Sequence, residues 1–225
     1  MNEWLFVAGP PRSGTTLMAF LLNQHPACAV LYETNFPLHL HRIVLPGVGI
    51  KNGMCMVEWH GTESAIRERW ALPLLLSPGH GGRGLDLKEP EVLVRRLCEA
   101  VRSMWPPVRF FGDKSPDYCF HWSLLRELFP DCRIIEMSRD EEALVASVRR
   151  HSSGFDQMAE EAVRETLRSY RAVLSPCPGL LTVSLEALQT EPERKVREVL
   201  EWLGLSMADY PMAAALERMA EGPVN

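Results

Sequence analysis

Short continuous apolar runs alternate along the chain with longer stretches in which apolar residues recur every three or four positions, the pattern of buried strands separated by amphipathic helices. The first run, residues 4–8, ends in Gly9-Pro10-Pro11 and predicts a buried parallel strand feeding a loop. From Thr15, the residues Leu17, Met18, Leu21 and Leu22 keep helical spacing, and His25-Pro26 closes that helix because proline disfavours continuation. Residues 27–31 read as a second strand. Glycine-rich stretches at 46–53 and 77–84 predict loops around a helix over 62–72, the second loop composed like a mobile lid. A helix over 89–105 carries Val92, Leu93, Leu97, Val101 and Met104 at a 3.6 period and stops at Pro106-Pro107. There follow a strand over 108–112, a helix over 117–129, a strand over 133–137 and a helix over 141–151 with Leu144, Val145 and Val148 on one side. A helix over 155–174, a strand over 180–184, a helix over 193–203 capped by Gly204 and a last helix over 210–221 complete the pattern.

Strands alternating with helices imply an α/β fold: a three-layer sandwich with a central parallel sheet. Ligands of such sheets gather at the carboxyl ends of the strands. At 225 residues the expectation is a single domain, 1–225. An apolar fraction of 46% and a charged fraction of 24% exclude a disordered or fibrous chain. With 24 Lys+Arg against 29 Asp+Glu the chain is acidic overall, which argues against a nucleic-acid binder held by phosphate neutralisation. The opening residues have no basic n-region, and the longest later apolar run, 71–76, is broken by Pro73, so neither a signal peptide nor a membrane anchor is expected. Six scattered cysteines without a zinc spacing read as free thiols of a cytoplasmic protein, and no metal is expected.

Two constellations carry chemistry. Gly9-Pro10-Pro11-Arg12-Ser13-Gly14-Thr15-Thr16 lies between a predicted strand and a predicted helix, where glycines let backbone N–H groups turn toward an anion and the helix N-terminus adds positive potential. The frame is that of a P-loop nucleoside-triphosphate site, yet Thr15-Thr16 stands where Lys followed by Ser or Thr belongs, which counts against an ATPase, GTPase or small-molecule kinase. A tight strand-to-helix turn with no ligand is the alternative reading. The second constellation is Asp113-Lys114-Ser115-Pro116, then Phe129-Pro130 leading to Arg133-Ile134-Ile135, then Arg139-Asp140 with Ser147 eight residues after the arginine.

Taken together these pieces resemble the sulfotransferases that use 3'-phosphoadenosine 5'-phosphosulfate (PAPS), which have a P-loop NTPase-like fold. Pro11 to Met18, His25-Pro26 and Glu33-Thr34 are most similar to the protein-tyrosine sulfotransferase type and related bacterial enzymes. The match covers 5–35 and 109–151, with a weaker echo over 183–205 that includes Glu186, Pro192 and Trp202-Leu203-Gly204-Leu205. The resemblance implies that Arg12, Ser13, Gly14, Thr15 and Thr16 bind the 5'-phosphosulfate and that Arg139 and Ser147 hold the 3'-phosphate. It further implies that Glu33 is the base deprotonating an acceptor hydroxyl, with Arg12 and Lys114 stabilising the leaving phosphate. His39 and His41, nearest in sequence to Glu33, are rival bases. Leu185 stands where the family often has an aromatic residue near adenine, and the glycine-rich basic loop of the cytosolic small-molecule branch is absent. The expected partner is a small phenol or alcohol, or a peptide tyrosine. The segment 36–108, which matches no named pattern, is expected to be an insertion shaping the acceptor pocket. A catalytically silent nucleotide-binding protein is the remaining alternative.

Overall fold

A computed structural model describes residues 3–44, 90–151, 158–174 and 179–221. The predicted loops at 46–53 and 77–84 and the helix at 62–72 lie outside these residues. In chain order the elements are β1 (Glu3–Ala8), α1 (Thr15–Leu22), β2 (Cys28–Tyr32), α2 (Phe36–Val44), α3 (Pro90–Arg102) and β3 (Phe110–Lys114). A 3-10 turn (Pro116–Phe120), α4 (Trp122–Leu128), β4 (Arg133–Ser138), α5 (Glu141–His151) and α6 (Glu160–Leu174) follow. The chain then forms β5 (Leu180–Ser184), α7 (Leu185–Thr190), α8 (Pro192–Leu203), a second 3-10 turn (Met207–Asp209) and α9 (Met212–Ala220).

All five strands are parallel, in the order β2-β3-β1-β4-β5. Because both faces of β1 are covered, its sequence is apolar at every position after Glu3. Leu5 and Val7 enter a core with Met18, Leu21 and Leu22 of α1 and Val196, Val199, Leu200 and Leu203 of α8. Trp4 and Phe6, one residue out of phase, meet Phe111 and Tyr118 edge-on at 5.8 and 5.3 Å between centroids. Leu144, Val145 and Val148 of α5 pack with Val163 and Leu167 of α6 in a second cluster, and Arg164 bridges Glu141, Glu142 and Glu160 beside it.

The molecule divides into two compact units. One, 1–34 with 108–122 and 131–225, carries the whole sheet. In the other, 35–107 with 123–130, α2 packs against α3.

Several expected boundaries move, each for a local reason. The strand expected over 108–112 runs Phe110–Lys114 instead. Gly112, where the expected strand ended, lies mid-strand, and an added Cβ there would sit 1.7 Å from the Leu5 carbonyl oxygen. Lys114 therefore belongs to the strand and does not follow it. The helix expected over 117–129 breaks at His121, whose φ of −119° and ψ of 19° are not helical. Ser115 caps the 3-10 turn before the break by accepting the Asp117 N–H. The helix expected over 89–105 ends at Arg102, and Met104, assigned to its apolar face, is exposed in the turn that follows. Tyr210 lies before the last helix, buried, with its hydroxyl donating to the Leu21 carbonyl at 3.0 Å. α7, unforeseen, starts on the residue after β5 because Ser184 accepts the Ala187 N–H and caps it.

Candidate active site

The first functional loop is shaped by close approach. At Gly9, φ is 145°, and a Cβ would lie 2.4 Å from the Met137 carbonyl oxygen and 2.7 Å from Ser13 Oγ, so the loop can press on β4 only without a side chain there. The Ser13 N–H donates to the Pro10 carbonyl at 3.1 Å, closing a tight turn. Gly14, at φ 92°, caps α1 and faces Leu185, whose Cδ1 would be 2.7 Å from an added Cβ. Helix geometry leaves the first N–H groups of α1 without intrahelical partners, and no acidic side chain sits in its first turn. Ser13 Oγ is fully buried yet has no hydrogen-bond partner among the described residues. Thr15 is buried and Thr16 partly so. A glycine cradle, open helix amides and an orphaned hydroxyl are a donor set suited to phosphate or sulfate oxygens.

Three cofactor-binding candidates meet at this loop. Arg12 is exposed, its Nε donating to Ser147 Oγ at 3.4 Å. Arg139 donates from Nη1 to the Arg12 carbonyl at 2.9 Å. Ser147 is buried on α5, and its carbonyl lies 3.0 Å from His151 Nδ1. Asp140 accepts the Ala143 N–H at 2.9 Å, capping the start of α5.

The second cluster is one and two strands away at the same carboxyl edge, since β3 lies between β1 and β2 with Val7 and Tyr32 both beside Lys114. The Lys114 side chain is only 3% exposed, whereas that of Glu33 is 45% exposed, and Nζ donates to Glu33 Oε1 at 2.5 Å. Lys114 Nζ also stands 5.8 Å from the Tyr32 ring centroid. The Glu33 N–H donates to the Lys114 carbonyl, and the next N–H, of Thr34, donates to Asp113 Oδ1. Asp113 is fully buried and also accepts the Tyr118 hydroxyl at 2.6 Å.

Among the described residues only Arg12, Glu33 and Asn35 have positive φ without being glycine, at 68°, 51° and 49°. Left-handed backbone costs a side-chain-bearing residue about 1–2 kcal/mol. Such strain concentrates at functional positions. Two of the three are residues that the sequence singled out for chemistry.

His39 and His41 lie on α2 in the other unit; His60 and His80 lie outside the described residues. His25 is structural: its Nδ1 accepts the Ala27 N–H, so its Nε2 donates to the Ser206 carbonyl at 3.1 Å. Glu186 had no assigned role, although Ser184 at a helix N-cap two residues before it was a readable signal. Its Oε1 accepts the Asp140 N–H at 3.0 Å and its Oε2 the Ser184 hydroxyl at 2.8 Å. Burial opposes ionisation of Glu186, but those two donors and the Arg139 charge outweigh it and hold the carboxyl below its ordinary range. Among the described residues no cluster of three or more His, Cys, Asp or Glu could hold a metal ion, and no helix is long and apolar enough to cross a membrane.

A glycine loop running from a central strand into a helix, at the carboxyl edge of an all-parallel sheet flanked by helices, defines a P-loop-like α/β protein. Within that class the chain belongs to the Sulfotransferase family, whose match extends over residues 5–209. It is 25% identical over 222 residues to protein-tyrosine sulfotransferase 2 of Gallus gallus, an alignment covering 91% of this chain and 52% of that protein. Protein-tyrosine sulfotransferase 1 of Danio rerio is 26% identical over 213 residues, covering 91% and 54% respectively. The chain thus spans about half the length of the curated relatives it matches. Among solved structures it resembles sulfotransferase STF9 from Mycobacterium avium, with a TM-score of 0.59, 19% identity and coverage of 100% of this chain and 69% of the other. The sulfotransferase domain from the Synechococcus PCC 7002 olefin synthase gives a TM-score of 0.55 at 18% identity, covering 92% and 74%. At these identities the two structures speak for the fold alone.

Proposed function

We propose that this protein is a PAPS-dependent sulfotransferase acting on an acceptor hydroxyl. The observation that carries the reading is the meeting of Arg12, Arg139 and Ser147 at the glycine loop, with the Lys114–Glu33 pair on the same sheet edge. The loop amides, Ser13, Gly14, Thr15 and Thr16 bind the 5'-phosphosulfate, and Arg139 with Ser147 binds the 3'-phosphate. Glu33 removes the acceptor proton while the acceptor oxygen attacks sulfur. The bond from sulfur to the bridging oxygen breaks, and the electron pair leaves with 3'-phosphoadenosine 5'-phosphate (PAP). Arg12 and Lys114 carry the charge that develops on that oxygen. Lys114 engages only Oε1 of Glu33 among the described residues, so Oε2 is the oxygen that meets the acceptor. The product is a sulfate ester.

The acceptor is a small phenol or alcohol, or a peptide tyrosine as in the names of the vertebrate relatives. Buried free thiols at Cys28, Cys98, Cys119 and Cys132 support a cytoplasmic setting.

Calorimetry tests the nucleotide site. PAP binds much more tightly than adenosine 5'-phosphate, and Arg139→Ala removes about 1.5–3 kcal/mol from PAP binding, the range for a hydrogen bond to a charged group. Equal affinity of the wild-type protein for the two nucleotides refutes the assignment. Transfer of labelled sulfuryl from PAPS to phenolic acceptors continues in EDTA; activity requiring magnesium and ATP would instead identify a kinase.

A further inference from the structure

The turn from β5 into α7 touches both halves of the loop site. Leu185 seats its side chain against Gly14, where only a hydrogen stands on the α-carbon. The next residue, Glu186, reaches the end of β4 and accepts the Asp140 N–H through Oε1. Its other oxygen is fixed by the Ser184 hydroxyl, and Ser184 is itself fixed as the cap of α7. The carboxylate is therefore held at both oxygens, within the electrostatic reach of Arg139. Arg139 is the residue immediately before the bonded Asp140 amide, and its guanidinium reaches back to the Arg12 carbonyl.

A carboxylate beside a site for a multiply charged anion repels that anion. Its presence calls for a compensating task. We infer that Glu186 is a positioning residue that fixes the β4–α5 turn, and with it the Arg139 guanidinium, for recognition of the nucleotide 3'-phosphate. The inference rests on the nucleotide reading proposed above.

The two roles of a carboxylate here have opposite signs. As a mere negative neighbour, Glu186 weakens anion binding, so its removal tightens PAP. As a positioning group, its removal frees the Asp140 amide and Arg139, so PAP weakens while adenosine 5'-phosphate, which lacks the group Arg139 reads, changes little. A role confined to capping α7 shifts both nucleotides alike.

The test is calorimetric titration of wild type, Glu186→Ala and Glu186→Gln with PAP and with adenosine 5'-phosphate, well below each variant's melting temperature. In Glu186→Ala the preference for PAP falls by about 10-fold or more, the loss expected when a charge-assisted contact is misplaced, with adenosine 5'-phosphate affinity within about 3-fold. Glu186→Gln retains an acceptor for the Asp140 N–H but not the negative charge that faces Arg139, and loses part of the preference. It also carries the test if the alanine variant does not fold. Unchanged or tighter PAP binding in a folded variant overturns the inference, as does an equal loss for both nucleotides. If wild type itself shows no preference for PAP, the nucleotide reading fails and takes this inference with it.

Discussion

The Lys114–Glu33 pair is unequal in burial, and the inequality predicts which partner the fold can spare. The lysine side chain is 3% exposed and the glutamate side chain 45%. Glu33→Gln leaves an ammonium in the interior with only a neutral acceptor, whereas Lys114→Met replaces it by an apolar chain of similar length and returns Glu33 to water. Breaking a fully buried pair costs about 3–5 kcal/mol and an exposed one about 0.2–1 kcal/mol. With one partner buried and the amide still able to accept from Nζ, Glu33→Gln costs about 1–2 kcal/mol. Lys114→Met stays within about 0.5 kcal/mol of wild type, since apolar replacement of a buried charge is often neutral. The left-handed backbone at Glu33 is common to glutamate and glutamine, so its strain cancels. Urea denaturation followed by circular dichroism measures both differences. On the catalytic side, Glu33→Gln lowers turnover by about 10²- to 10⁴-fold, the range for a positioned base, with PAP affinity nearly unchanged. Lys114→Met being the more destabilising variant would refute the burial argument. Normal turnover in Glu33→Gln would refute the base assignment, and loss of turnover in His39→Ala or His41→Ala with PAP binding intact would move that role to histidine.

Further outcomes follow from backbone and burial. Arg12→Gly and Arg12→Ala both remove the guanidinium and weaken PAP, but glycine relieves the left-handed strain at φ 68° and is the more stable of the two by about 1 kcal/mol in thermal melts. Gly112→Ala thrusts a Cβ to 1.7 Å from the Leu5 carbonyl oxygen between β1 and β3 and costs about 3 kcal/mol or more, read as a large fall in melting temperature or in soluble yield. Burial pushes the Cys28 thiol up to about 12 despite nearby Arg109, and Cys98, Cys119 and Cys132 are buried too. At most two of the six cysteines then react with a disulfide reagent at pH 8 before unfolding, and reductant does not alter activity.

Much of the architecture was legible because a parallel sheet covered on both faces writes itself as short apolar runs, and amphipathic helices write themselves between them. The strand 180–184 and the helix 141–151 keep the bounds expected of them. The glycine loop was legible too, since the turn from β1 to α1 admits only glycine at Gly9 and Gly14. The strand expected over 108–112 was placed two residues early, and Gly112 could not have corrected it. A glycine signals either the end of a strand or the close approach of another backbone, and only the pairing of β3 between β1 and β2 selects the second.

By itself, the sequence determined the alternation of elements, the glycine loop between β1 and α1 and the residue types proposed here for sulfuryl transfer, because these depend on local spacing and side-chain character. Tertiary structure decided which of those residues meet. Arg12 and Ser147 are 135 positions apart, Lys114 and Glu33 are 81, and Asp140 and Glu186 are 46. No local rule ties such positions together; strand order does, by bringing the carboxyl ends of β2, β3, β1, β4 and β5 to one edge. The burial of Lys114 beside a half-exposed Glu33, and the left-handed backbone at Arg12 and Glu33, are consequences of that packing, which overrides the solvation and dihedral preferences of the same residues in an isolated chain.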